Sequence, residues 1–214
     1  MGTFEKDKLN IFLDLDGTLI DSRYRMYKLF SDLVLKCNLT FEEYWNKKFD
    51  GKTHKNILNE DFHYTDSEFQ VFETNWMNSI EKNKYLELDT VINGVPDWLE
   101  RTSEKANLYI VTARQNSVYT ELQLERLGLL KFFTKVFVTE QLKTKTQLIL
   151  ESGIPLKAVD LFVGDTGHDI KTGKELEIYT VAVLTGFMNK ESLSKYNPDL
   201  LLNSIVDLNI KKYD

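Results

Sequence analysis

The stretch Ile11-Phe12-Leu13-Asp14-Leu15-Asp16-Gly17-Thr18-Leu19-Ile20-Asp21-Ser22 decides how the chain is read. An apolar run leads straight into two carboxylates separated only by Leu15, and a glycine that can turn the chain follows, with a hydroxyl at Thr18. Such a run suits a parallel strand buried on both faces, and in an open parallel sheet ligands bind in the loops beyond the strand C-termini. An Asx-type turn that merely ends the strand needs one Asp, whereas a pair of carboxylates suits a metal-dependent site.

Outward from this stretch, short apolar runs recur at Leu108–Val111, Val136–Val138, Leu161–Val163 and Tyr179–Leu184. Connections such as Asn116–Gly128 and Lys145–Gly153 end in glycine, a common helix stop. The alternation predicts an α/β fold with a Rossmann-like parallel sheet. The gap of about 90 residues between the first and second runs is far longer than a crossover helix needs, which points to an inserted all-α domain. Tyr27, Phe30, Val34 and Cys37 follow helical spacing, as do Phe41, Trp45 and Phe49, and Phe69, Phe72, Trp76 and Ile80. Thr40 with Glu43, and Thr65 with Glu68, have the capping-box spacing. These aromatic stripes read as helix packing rather than as a ligand cage. The expected division is a core of residues 1–20 and 95–214 and a helical unit of residues 21–94.

With 214 residues the chain has room for one or two domains and a sizeable core. Its 33 Asp and Glu outnumber 27 Lys and Arg for a net charge of −6, which argues against a general nucleic-acid binder. A hydrophobic content of 42% argues against disorder. The one cysteine, Cys37, cannot form an intramolecular disulfide, and the N-terminal Met-Gly-Thr-Phe-Glu-Lys-Asp-Lys has acids where a signal peptide needs an apolar run. No apolar run approaches the roughly 20 residues of a membrane-spanning helix. The expectation is a cytoplasmic protein with neither nucleic-acid nor membrane partners.

Chemical residues recur at the ends of the later runs. Leu108–Val111 leads into Thr112-Ala113-Arg114, a hydroxyl and a guanidinium suited to a phosphoryl group. Leu161–Val163 leads into Gly164-Asp165-Thr166-Gly167-His168-Asp169, again two carboxylates with glycines beside them. Lys143 and Lys145 stand just before an apolar-periodic stretch and could set a cation at a helix start. His54, His63 and His168 lack ligand-like spacing and are assigned to no metal.

In order and spacing these elements resemble the haloacid dehalogenase-like hydrolase superfamily. Residues 11–22 are similar to its first motif, Val111-Thr112 to the second, a lysine at 143–145 to the third, and Gly164 to Asp169 to the fourth. The insertion, with Gly51 ahead of Ile57-Leu58, resembles the helical cap of the phosphoglycolate phosphatase and β-phosphoglucomutase branch. Lys143-Thr-Lys145-Thr stands where the family commonly has Lys-Pro, leaving two candidates, of which Lys145 sits nearer the helix. Leu176-Glu177 replaces a frequent Ala-Gly.

The resemblance implies a Mg²⁺-dependent phosphatase acting on a small phosphorylated metabolite through an aspartyl-phosphate. It implies Asp14 as nucleophile, Asp16 as acid and base, and Thr112 and Lys145 on the phosphoryl oxygens. The metal would be held by Asp14, the main-chain oxygen of Asp16 and Asp165, with Asp169 supporting. Gly17, Thr18, Arg114 and Arg23 are the expected substrate contacts, the first two through backbone N–H groups. Arg25, Lys52, His54 and Lys55 join Arg23 as candidates for a second anionic group, against a plainer reading of each as a solvated side chain. Asp16 separates such an enzyme from dehalogenases and phosphonatases, whose motif lacks it. The alternatives are a phosphomutase using the same acids, and a non-catalytic binding protein of the same fold.

Overall fold

Each of the apolar runs singled out in the sequence forms a strand in the computed structural model, which describes residues 8–210. The N-terminal segment Met1–Asp7, with its expected lack of a leader, lies outside the described residues. In chain order the elements are β1 (Leu9–Leu13), β2 (Ile20–Asp21), α1 (Arg23–Leu33), α2 (Phe41–Phe49), α3 (His54–Phe62), α4 (Asp66–Met77), α5 (Asn83–Leu86) and β3 (Thr90–Val91). There follow α6 (Val95–Ser103), β4 (Ala106–Thr112), α7 (Ser117–Arg126), β5 (Lys135–Val138), α8 (Lys145–Glu151), β6 (Leu161–Gly164), α9 (Gly167–Glu175), β7 (Tyr179–Val183), α10 (Lys190–Ser194) and β8 (Leu200–Leu202).

Six strands make one parallel sheet in the order β5-β4-β1-β6-β7-β8. Alternate residues of β1 enter opposite cores. Ile11 and Leu13 pack with Ile110, Val163, Trp98 and Leu99 on one face, and Phe12 packs with Tyr109, Phe137 and Phe162 on the other. Burial on both faces is why this strand reads as an unbroken apolar run. At its N-terminal end Asn10 donates to Asp160 at 2.8 and 3.0 Å and accepts from Asn107 at 3.1 Å, tying three neighbouring elements together.

From β1 the chain proceeds to β4 and β5 on one side, then crosses to β6, β7 and β8 on the other. The C-terminal end of β1 is therefore a switch point of the sheet, the place where a crevice opens between diverging connections.

Helices α1 to α5 occupy the long gap and have a core of their own, built from Leu29, Phe30, Tyr44, Ile57, Leu58, Phe72 and Trp76 among others. The Thr40–Glu43 and Thr65–Glu68 capping boxes form, with backbone N–H to carboxylate distances of 2.8 Å in both. Helix α3 was not anticipated. It too starts in a capping box, Thr53 with Asn56, but its inward residues Ile57 and Leu58 are adjacent and make no periodic stripe. Cys37 and Ile80, expected within helices, lie beyond the ends of α1 and α4. The two passages between sheet and helices run side by side as an antiparallel ribbon, with Ile20 opposite Val91 and Asp21 opposite Thr90. Ile20, Val91 and Ile92 belong to the sheet's core, whereas Leu88 packs with the helices.

The edge strand β8 was also missed, since Leu200-Leu201-Leu202 is short, half-buried and paired only to β7. Among the described residues no helix is long and apolar enough to cross a membrane.

His54 is not a solvated residue. Its Nε2 is 2.8 Å from the Tyr44 hydroxyl, and its ring lies 4.2 Å from that of Trp76 and 5.5 Å from that of Phe72. Burial, helped by the Lys48 charge, lowers its pKa to about 3. The unfolded chain therefore binds a proton that the folded chain refuses between about pH 6.5 and 3, and stability falls as pH falls through that window. One such group contributes a slope of up to about 1.4 kcal/mol per pH unit. Urea denaturation of the parent and His54→Gln across this range should show a shallower acid loss in the variant. Parallel curves would contradict the assignment.

Candidate active site

The β1 run ends by delivering Asp14 and Asp16 to the switch-point crevice, where a cavity of about 360 Å³ is lined by both and by Thr112, Arg114, Lys145 and Asp169. Asp14 is held in place by its N–H, which donates to the Val163 carbonyl of β6 at 2.9 Å. Gly17 turns the chain immediately afterwards at φ +85°, a conformation that strongly favours glycine. A Cβ there would also come within 2.7 Å of the Asp165 carboxylate.

Lys145 is the first residue of α8, which Thr144 caps in a box with Gln147. That start aims the ammonium at the end of β1, where it donates to Asp14 Oδ1 at 2.5 Å and to Asp169 Oδ1 at 2.6 Å. Lys143 instead pairs with Glu151 on the surface. Of the two lysines the sequence left open, Lys145 is the one in the crevice. Asp169 is fixed by the start of α9, its Oδ2 accepting from the Thr166 N–H at 3.0 Å and hydroxyl at 2.6 Å.

Asp165 completes the cluster. It is fully buried, and its Oδ2 accepts the Phe187 N–H at 2.7 Å while its Oδ1 has no hydrogen-bond partner among the described residues. Asp14, Asp165 and Asp169 each offer an oxygen within 4.8 Å of the others. Three carboxylates thus face one ammonium, an excess of negative charge that burial makes costly. Burial, together with Asp169 and Asp16 and against Lys145, pushes Asp14 up to about 7. Burial, together with the Asp14 and Asp169 carboxylates, raises Asp165 well above the usual range. All the donors are hard oxygens and one is an orphan, the chemistry that suits Mg²⁺. The residues present fit the metal.

Asp16 lies in a second charge cluster. Arg114 donates to its Oδ2 from Nε at 2.8 Å and to its Oδ1 from Nη2 at 3.0 Å, and Arg25 of α1 pairs with the same Oδ1. Asp89, between α5 and β3, lies 3.0 Å from the Arg25 Nε and 3.3 Å from the Arg114 Nη2 and takes a 2.8 Å hydrogen bond from Gln123. Burial opposes ionisation of Asp16, but Arg114 and Arg25 outweigh it and hold the carboxyl well below its usual range.

The other expected contacts are distributed as follows. Thr112, at the end of β4, is buried and lines the cavity. Arg23 pairs with Asp21 and lies 5.6 Å from the Trp45 ring, outside the cavity lining. The Gly17 and Thr18 N–H groups, expected to meet substrate, donate instead to Ile20 and Leu15 carbonyls at 2.8 and 3.4 Å, so these residues shape the loop. Lys52 and Lys55 pair with Glu60 and Asp66 at the surface. Arg25, read as solvated, is buried in the site. Asp89, Gln123 and Glu81 carried no local signal. Glu81 sits beyond α4 and accepts the Gln115 and Asn116 N–H groups at 2.7 and 3.1 Å, fastening the helical insertion to the start of α7.

A buried cluster of acids at the switch point of a parallel sheet, with a lysine bridging two of them, is an arrangement suited to phosphoryl chemistry in an α/β protein. Residues 11–183 match the model of the haloacid dehalogenase-like hydrolase family, and the chain belongs to that family. It is 24% identical over 211 residues to the pyrophosphatase PpaX of Oceanobacillus iheyensis, covering 92% of this chain and 94% of the relative. It is 29% identical over 119 residues to a phosphoglycolate phosphatase of Synechococcus elongatus, covering 54% of this chain and 56% of that one. A crystal structure of a phosphatase candidate from Clostridium difficile superposes with a TM-score of 0.76 at 19% identity, over 97% of this chain and 98% of the other, a likeness of fold.

Gly186 exposes the tolerance of the cluster. A Cβ there would lie 1.9 Å from the Asp165 Oδ2, so Gly186→Ala must displace that carboxylate. Thermal-shift titration with Mg²⁺ should find its affinity weakened by about 10–100-fold, the usual cost of disturbing a ligand's support. Unchanged Mg²⁺ stabilisation would exclude Asp165 from the metal site.

Proposed function

We propose that the chain is a Mg²⁺-dependent phosphatase that hydrolyses a small phosphomonoester in the cytoplasm by way of a phosphorylated Asp14. The supporting observation is the placement of Asp14 at the cavity, hydrogen-bonded to Lys145 and grouped with Asp165 and Asp169. The pyrophosphatase and phosphoglycolate phosphatase relatives support phosphoryl chemistry on small substrates.

Mg²⁺ would be held by Asp14, Asp165, Asp169 and the Asp16 main-chain oxygen, and when bound it screens the repulsion between the Asp14 carboxylate and an incoming phosphate. Asp14 attacks phosphorus, the ester P–O bond breaks and the leaving oxygen departs towards the Asp16 side of the cavity. Thr112 and Lys145 hold phosphoryl oxygens and receive the charge that develops on them.

Asp16 supplies the proton to that leaving oxygen and later takes one from the water that attacks the phosphorylated Asp14. Its arginine partners keep it ionised, which suits the second step. For the first, the guanidinium of Arg25 or Arg114 must turn from Asp16 to the phosphate, letting the carboxyl hold a proton. Arg25 comes from the helical insertion and Arg114 from the sheet domain, so the seating of residues 21–94 as a cap over residues 1–20 and 95–214 would govern this exchange. Closure would also exclude water from the reacting phosphorus.

The test is hydrolysis of p-nitrophenyl phosphate. Turnover should require Mg²⁺, stop with EDTA and fall by about 10³-fold or more in Asp14→Asn. Metal-independent turnover, or an active Asn variant, would contradict the mechanism.

A further inference from the structure

The cavity is not uniform. Besides the carboxylates, the lining includes Met26, Met77 and Ile80 from the helical insertion and Phe187 from the loop after β7, with Gln115 and Gln141 as uncharged polar members. Phe187 is braced by Trp45, with ring centroids 5.5 Å apart.

The charges of the lining are already matched. Lys145 is committed to Asp14 and Asp169, and Arg25 and Arg114 are both committed to Asp16 and Asp89. Among the described residues every lysine and arginine in the lining is already paired, and the one guanidinium that leaves Asp16 in the proposed first step goes to the reacting phosphate rather than to a second anion. The remaining acid, Glu81, faces the same space, and an anionic group beside it would be repelled. His168 is the other titratable group there, exposed at the start of α9. At about 360 Å³ the cavity is at the small end of ligand sites, so an alcohol portion that stays within it meets these apolar side chains.

We propose that the site selects phosphomonoesters whose alcohol portion is uncharged and presents an apolar face, and discriminates against substrates that carry a second anionic group. This rests on the phosphatase reading above. A second carboxylate or phosphate would lose its hydration among Met26, Met77, Ile80 and Phe187 with every lysine and arginine of the lining already engaged, whereas an apolar alcohol gains by leaving water there. The named activities of the relatives, on pyrophosphate and phosphoglycolate, both involve a second anionic group, so the proposal separates this chain from them.

The experiment compares kcat and KM, with Mg²⁺, for benzyl phosphate, glycerol 3-phosphate, phosphoglycolate and inorganic pyrophosphate. Benzyl phosphate is chosen because its leaving group is an ordinary alkoxide, and glycerol 3-phosphate separates apolarity from mere absence of charge. Expected is a kcat/KM for benzyl phosphate exceeding that for phosphoglycolate and for pyrophosphate by about tenfold or more, carried mainly by KM, with glycerol 3-phosphate between them. Met77→Lys, on the partly exposed rim, should narrow the ratio of benzyl phosphate to phosphoglycolate by lowering the KM of the latter. Equal or better use of phosphoglycolate or pyrophosphate, or a ratio unmoved in Met77→Lys, overturns the selectivity while leaving a phosphatase. Turnover of none of the four, nor of p-nitrophenyl phosphate, overturns the phosphatase reading and the selectivity with it.

Discussion

The structure depends on how it tolerates a concentration of buried negative charge at the end of β1. Asp14, Asp165 and Asp169 converge there around Lys145, and Asp16 and Asp89 are balanced by Arg25 and Arg114. The second group is matched charge for charge. The first group is short of positive charge, and burial together with that excess makes Asp14 and Asp165 hold protons more tightly than usual. A divalent cation would relieve the same excess, so the instability of the isolated cluster and its capacity to bind metal have one cause.

The sheet topology makes such a concentration possible. Strand β1 is central, and the chain leaves it to either side, so the carboxylates of β1 and of the β6–α9 turn can meet without any strand being in the way. Close packing of Gly17 and Gly186 against Asp165 leaves that carboxylate no room to turn out to solvent. The helical insertion returns to the sheet through the short ribbon of β2 and β3 and sends Arg25 into the matched group, so the position of one domain bears on the ionisation of a residue in the other.

Legibility in the sequence followed the range of the interaction. Strands buried on both faces announce themselves as apolar runs, and the acids directly after β1 and β6 are seen because a strand and its C-terminal loop are contiguous. Lys145 was separable from Lys143 only in so far as it stood nearer a helix, and the deciding fact, a contact with Asp14 131 residues away, belongs to the fold. Asp89 gave no signal at all, since its partners come from α1, α7 and the loop after β4. Arg25 and His54 looked like ordinary polar residues of a helical segment, and the first proved to be buried and the second half-buried against groups from other elements. The N–H groups of Gly17 and Thr18, expected at the substrate, find partners within their own loop, and a sequence motif does not reveal whether a backbone donor is free.

The central claim is that Asp14 forms a bond to phosphorus. It is tested most directly by rapid acid quench of the Mg²⁺-loaded enzyme during turnover, followed by peptide mapping of the protein-bound phosphoryl group. The account predicts an acid-stable, alkali-labile phosphoryl group on Asp14 that forms and decays fast enough to carry the steady-state rate. Its location on another residue, or turnover with no phosphorylated protein formed even in a single turnover, would contradict it.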